Sequence, residues 1–329
     1  DYPDCRDPGS QFQKCAPAVP DRWRLAEDLG LVRTNWWAPY TQNTLKGDRP
    51  VFGKDWFFVA ALISDTVVEP RSFPIPVGVQ STTNPDSLDV FGDSDNFLFS
   101  QSLIASFSLI KGSTAYKPPD LEFRVTPVFN YNFASVEELR ILHVEPSKGT
   151  NRHDGWIGLQ EAFIDYHIRN VSDRYDFDSV RAGIQPFSSD FRGFLFQDNQ
   201  PGVRLFGNRD NNRFQSTLAA FIRLEKDTNS GLNDVTQRPR EDYVFFANLY
   251  RQDLPVPGLT SQVTVAYNMN REANRIEIDK NGFPVRPALL GDLRGRNYDV
   301  LYLGYNADGR VGRLNLTASA YYALGEDRN

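Results

Sequence analysis

At 329 residues, with 42 acidic against 36 basic side chains and a net charge of −6, the chain has the length of about two or three soluble domains. Its acidic balance and pI near 5.2 exclude nucleic acid as a partner, because a phosphate backbone calls for a basic surface. The mean hydropathy is −0.47 and no run of about 18 apolar residues occurs, which excludes helical membrane spans but not a β-barrel, where only alternate strand residues meet lipid.

Residues 1–52 show no regular alternation. Cys5 and Cys15, the two cysteines of the chain, lie close together in a proline-rich leader. Their spacing suits one disulfide in an oxidising compartment such as the periplasm; a metal site is the weaker alternative, since no histidine lies near. Asp21 to Gly30 reads as a short helix, and the aromatic group Trp36, Trp37 and Tyr40 follows. We expect residues 1–52 to form a periplasmic or plug-like segment, and the start at Asp1 to be that of a processed mature protein.

Alternation of period two then runs through residues 53–329. In Leu121–Phe133 the odd positions carry Leu121, Phe123, Val125, Pro127, Phe129, Tyr131 and Phe133, and the even ones Glu122, Arg124, Thr126, Val128, Asn130 and Asn132. Successive side chains of a strand point to opposite faces, so one face is apolar and aromatic and the other hydrophilic. Strands of this kind are expected at Trp56–Val68, Phe97–Ile110, Leu121–Phe133, Ile157–Ile168 and Phe177–Phe187, then at Gly202–Asn208, Arg213–Glu225, Tyr243–Gln252, Ser261–Arg271, Asn297–Asn306 and Arg313–Leu324. That makes about eleven, each near the roughly 9–11 residues of a tilted membrane-crossing strand.

Long connections (Ser72–Asn96, Ser135–Trp156, Ser188–Pro201, Lys226–Asp242, Glu272–Arg296) alternate with short ones (Lys111–Asp120, Asn170–Asp176, Arg209–Asn212, Asp253–Thr260 and a tight hairpin at Ala307-Asp308-Gly309). The rhythm implies an all-β, antiparallel, up-and-down transmembrane barrel with tight periplasmic turns and long external loops. Closed bacterial barrels carry an even number of strands, and an open sheet edge cannot face lipid. The odd count therefore predicts further strands beyond residue 329, with the two ends of this chain on opposite sides of the membrane. Aromatic residues near strand ends, among them Trp56, Phe57, Tyr131, Phe133, Tyr305 and Tyr322, suit interfacial girdles.

On the hydrophilic faces Glu122, Arg124, Glu161, Asp165, Arg181, Arg204, Arg223 and Glu225 point inward by the alternation. Two readings stand for them: charges that orient polar solutes in a pore, or mutual ion pairs that stiffen its wall. The link Ser188–Pro201 carries Phe191, Phe194 and Phe196, too apolar for free exposure, which suits an inward-folded constriction or a partner contact. Glu161, Asp165 and His167 share one strand face, but residues two apart lie roughly 7 Å from one another, so a lumen wall is favoured over a metal or catalytic site. No serine is fixed beside His167 by the sequence. Asp279-Lys-Asn-Gly282 begins like a calcium loop but lacks the later acidic ligands and reads as a turn. No cofactor and no metal are expected.

The strand region, about residues 45–325, resembles bacterial outer-membrane porins. The stretch Leu45-Lys-Gly-Asp-Arg-Pro50 leading into Phe57-Phe58 is similar to uncharacterised large outer-membrane proteins, with a fainter resemblance to alginate-export barrels, whose lumen is rich in arginine. The resemblance implies a non-enzymatic channel of the bacterial outer membrane for small hydrophilic solutes, with the lipid bilayer as its surroundings. The alternatives are a structural sheath around a periplasmic or multihaem cytochrome partner or an exported polymer, and a secreted β-rich binding protein.

Overall fold

A computed structural model describes residues 25–26, 29–31, 35, 37–38, 40–41, 43–72, 95–112, 118–172, 176–273, 275–285 and 297–328. Cys5, Cys15, Trp36 and most of Asp21–Gly30 lie outside the described residues. Leu25 and Ala26 are helical, and the Leu29 and Leu31 N–H groups donate to the carbonyls of Leu25 and Ala26 at 3.1 and 3.0 Å. The chain divides into two units, Asp1–Val59 and Ala60–Asn329, a cut a few residues later than the alternation suggested.

The described residues are all-β. The strands are β1 (Lys46–Phe52), β2 (Trp56–Ser72), β3 (Asp95–Lys111), β4 (Leu121–Ser135), β5 (Asn151–Asn170), β6 (Phe177–Ser188) and β7 (Gln197–Arg209). They continue as β8 (Phe214–Ile222), β9 (Glu225–Lys226), β10 (Asn233–Asp234), β11 (Asp242–Arg251), β12 (Leu259–Arg271), β13 (Asn297–Val311) and β14 (Leu314–Arg328). β9 and β10 form a small hairpin of their own, and the other 12 strands make one sheet in the order β1-β2-β3-β4-β5-β6-β7-β8-β11-β12-β13-β14. The sheet is not closed into a barrel, since β1 and β14 are its edges. Each expected strand from Trp56 onward is present, and the short β1 adds to them, pairing Pro50 with Phe57 and Phe52 with Trp56 in the first unit; with β1 the sheet has 12 strands rather than about eleven, so the odd count on which the parity argument rested is not found.

Several boundaries differ from expectation, among them the start of β5, at Asn151 rather than Ile157. The tight hairpin falls not at Ala307-Asp308-Gly309, which lies within β13, but one step later, where Val311 pairs with Leu314. Gly312, at φ 62, supplies the positive φ at the first central position that a two-residue connection of the type II′ class requires. β7 begins at Gln197 rather than Gly202, because the polar run Gln197–Pro201 pairs with Ile184–Ser188 of β6 despite its poor strand propensity. The chain leaves β8 after Ile222, so Arg223 and Glu225 belong to a link and to β9, not to a long seventh strand.

Burial runs opposite to that of a soluble sandwich. On the apolar face Leu218 is 56% exposed and Val263 49%, while their neighbours Ala219 and Thr264 on the other face are 7% and 0%. Phe123, Phe129, Ile222 and Leu316 are exposed, and Arg124, Asn130, Thr217, Arg223 and Asn268 are at least half-covered; Thr317, on the edge strand β14, is exposed although it belongs to the polar face. A bulge in β5 adjusts the phase. Thr126 pairs with Glu161 and Pro127 with Leu159, leaving Gln160 as the extra residue. One added residue flips the side-chain parity, so Asp154 and Gly158 before it share the covered face with Phe163 and Asp165 after it.

Candidate functional site on the polar face

Cross-strand register assembles the predicted charges into a ladder. Glu122 of β4 lies opposite Asp165 of β5, Asp165 opposite Arg181 of β6, and Arg181 opposite Arg204 of β7. Neighbours in such rows have Cβ atoms about 5 Å apart, close enough for direct pairing. Arg124 binds Glu122 at 2.7 Å and approaches Glu161 at 3.9 Å, with the Thr126 hydroxyl donating to Glu161 at 2.8 Å. Arg181 binds Asp165 at 2.7 Å and sits 4.3 Å over the Phe163 ring. Arg223 binds the fully buried Asp242 at 3.2 Å. Glu225, expected on a strand wall, is buried within β9. Most of the predicted pore charges are thus spent on one another.

Arg204 differs. Its guanidinium lies 4.5 Å over Phe206 and 5.6 Å over Phe187, and among the described residues no carboxylate pairs with it; its Nε is buried without a hydrogen-bond partner. It borders a cavity of about 600 Å³ together with Gln160, Phe187, Ser188, Asp198 and Asn199. Gln160 follows Asp154 and Gly158 onto the covered face, and its Nε2 also has no hydrogen-bond partner. Neither the bulge nor the isolation of Arg204 has a local sequence signal, because both depend on which strands pair and in what register.

Two links turn onto this face. The first, residues 189–196, is shorter than the expected Ser188–Pro201. Phe196 joins Phe187, Phe221 and Phe246 in an apolar cluster, with ring centroids 5.3 Å from Phe246 and 5.8 Å from Phe221; such pairs contribute about 0.5–1.5 kcal/mol each beyond area burial. Phe191 packs edge-on to Tyr250 at 5.8 Å, and Phe194 stacks on Tyr321 at 5.7 Å. The Ser189 carbonyl accepts from the side chains of Asn248, Gln262 and Thr264. Asp190, which the aromatic content of the link did not point to, closes the anchor. It accepts from the Tyr321 hydroxyl at 2.6 Å, the Ser189 hydroxyl at 3.0 Å and the N–H groups of Arg192 and Phe194 at 2.9 and 3.1 Å. Burial pushes its carboxyl up, but these hydrogen bonds outweigh it and hold Asp190 below the usual carboxylate range.

The second link, residues 223–241, carries the β9/β10 hairpin over β5. Asn233 donates to the carbonyls of Leu159 and Asn199, and Trp156 Nε1 donates to the Asn233 carbonyl. The hairpin lies so close that a Cβ on Gly158 would stand 2.6 Å from Leu232 Cβ. Lys226 pairs with Asp198, and Arg240 forks onto Glu272 at 3.1 and 2.7 Å.

His167, Glu161 and Asp165 do not converge. The first bonds Asn170 through Nε2 at 2.9 Å, and the other two belong to the arginine pairs above. The register does bring a serine to His167, since Ser179 Oγ lies 3.4 Å from Nδ1. Ser179 is 0% exposed, so its hydroxyl is closed off from solvent and this row is a hydrogen-bonded part of the sheet. Asp279–Gly282 is a turn, with the Asn281 and Phe283 N–H groups on Asp279 Oδ1 and the Thr228 hydroxyl on Oδ2. No known protein family, curated protein or solved structure matches the chain.

Proposed function

We propose that this sheet is the transmembrane wall of a bacterial outer-membrane β-barrel that passes small hydrophilic solutes, with its apolar face in lipid and its polar face on the lumen. One observation carries the reading: along β4, β8, β11 and β12 one whole face, with Phe123, Phe129, Leu218, Phe245, Leu249 and Val263, is exposed although it is apolar, while the opposite face buries Glu122, Asn248, Gln262 and Thr264 beside the apolar cluster of Phe221 and Phe246. In water that arrangement leaves broad apolar surface uncovered; in a bilayer it is the stable one. The reading requires the edges β1 and β14 to be paired, because each unpaired backbone group in hydrocarbon would cost several kcal/mol. The inward links narrow the lumen at the end where the long connections lie. They also weigh against a sheath around a cytochrome or an exported polymer, because they occupy space that a wrapped partner would need.

Reconstitution of the full-length protein into planar bilayers tests the reading. Discrete ohmic conductance steps are expected. Stable insertion without conductance favours the sheath, and solubility without detergent contradicts both.

A further inference from the structure

We propose that the cavity beside Arg204 binds a small hydroxylated monocarboxylate in passage, an inference that rests on the channel reading and gives its solute a chemical class. Three independent features point there. The first is charge. Arg124, Arg181 and Arg223 each have a carboxylate within 3.2 Å, whereas Arg204 has none among the described residues, and its opposite neighbour in the next strand is another arginine, Arg181. The one carboxylate on the cavity wall, Asp198, is engaged by Lys226, by the Gln200 amide at 2.7 Å and by the Asn199 N–H at 2.8 Å. The cavity therefore carries one uncompensated positive charge. A single planar guanidinium fork matches one carboxylate bidentately.

The second feature is the rest of the lining. Gln160, Asn199 and Ser188 are neutral hydrogen-bonding groups, and Gln160 Nε2 is an unused donor. Amides and a hydroxyl around a lone cation suit an acid whose remaining atoms are hydroxylated, since such groups both donate and accept. The volume, about 600 Å³, falls within the roughly 300–1,000 Å³ of small-molecule sites.

The third feature is construction. The bulge in β5, opposite Pro127, sets the adjacent residues Gln160 and Glu161 on the same covered face, and bulges are over-represented beside functional sites. Phe206 and Phe187 hold the guanidinium over their rings, which fixes its orientation without neutralising it.

Saturation-transfer NMR on the full-length protein folded in deuterated detergent, titrated with D-gluconate and separately with its neutral counterpart sorbitol, decides the matter. Saturable gluconate binding in the millimolar range, at least tenfold tighter than sorbitol, is expected. Arg204→Gln should weaken gluconate at least tenfold, Arg204→Lys less, and Gln160→Glu, which places a competing carboxylate in the cavity, should weaken it as much as Arg204→Gln. Should Arg204→Gln fail to fold, Gln160→Glu carries the decision. Equal binding of sorbitol, full retention of gluconate in both loss variants, or no saturable gluconate signal overturns the proposal. Gluconate binding by a protein that shows no bilayer conductance keeps the site and removes the channel reading; conductance without gluconate binding does the reverse.

Discussion

Asp190 is the residue on which the first inward link turns, because one carboxylate gathers a tyrosine hydroxyl from β14, a serine hydroxyl and the N–H groups of its own loop. Its carboxyl titrates below the ordinary aspartate value of about 3.9. A depressed folded value means that the anchor is fully present above that ordinary value and is lost as pH falls through the folded one. Asp190→Asn should remove about 2 kcal/mol of charge-assisted hydrogen bonding, a roughly thirtyfold fall in the hydrogen-exchange protection factors of the Arg192 and Phe194 amides at neutral pH. Wild-type protection should persist at pH 5 and collapse only in stronger acid; protection unchanged by the substitution would show that the aromatic contacts alone hold the link. The sequence pointed to this link through its phenylalanines, and Phe196 does enter the core cluster, but Phe194 stays 74% exposed despite its stacking on Tyr321. The aromatic content gave no sign of Asp190, whose partners are Ser189, the N–H groups of Arg192, Phe194 and Leu195, and Tyr321 on β14.

Among the elements, β8 offers the sharpest contrast, with Leu218 on the apolar face and Thr217 on the polar one. An arginine at the bilayer midplane on the lipid face costs about 2–4 kcal/mol, whereas lumen substitutions are mild. Leu218→Arg should therefore reduce the folded fraction after refolding into vesicles by at least tenfold, and Thr217→Arg by less than twofold, as read by heat-modifiable gel mobility. Equal tolerance of the two would refute the facing. Strand existence and facing were legible because a period of two survives in Leu121–Phe133 and Ser261–Arg271 without any tertiary information. Boundaries were less so. Gln197–Pro201 reads as loop by propensity and is recruited by register with β6, and Ala307-Asp308-Gly309 reads as a turn although Gly312 supplies the actual one.

At the scale of the whole molecule, an exposed apolar face is separated from a covered face that carries the polar and charged side chains, interrupted there by the apolar cluster around Phe221 and Phe246, and both faces continue through the bulge at Gln160. The site was legible only in part. Alternation named Arg124, Arg181 and Arg204 alike, but only strand register shows that the first two are paired and the third is not. Among the described residues the ladder is therefore mostly internal ion pairs, with Arg204 at its end. The most direct test of the transmembrane assignment is nitroxide accessibility at four single cysteines, replacing Leu218, Val263, Thr217 and Asn268 in a background without Cys5 and Cys15, in reconstituted vesicles. Labels at 218 and 263 should collide preferentially with oxygen dissolved in lipid, and labels at 217 and 268 with a water-soluble nickel chelate; equal chelate access at all four positions, or the reverse pattern, would contradict the assignment of the apolar face to the bilayer.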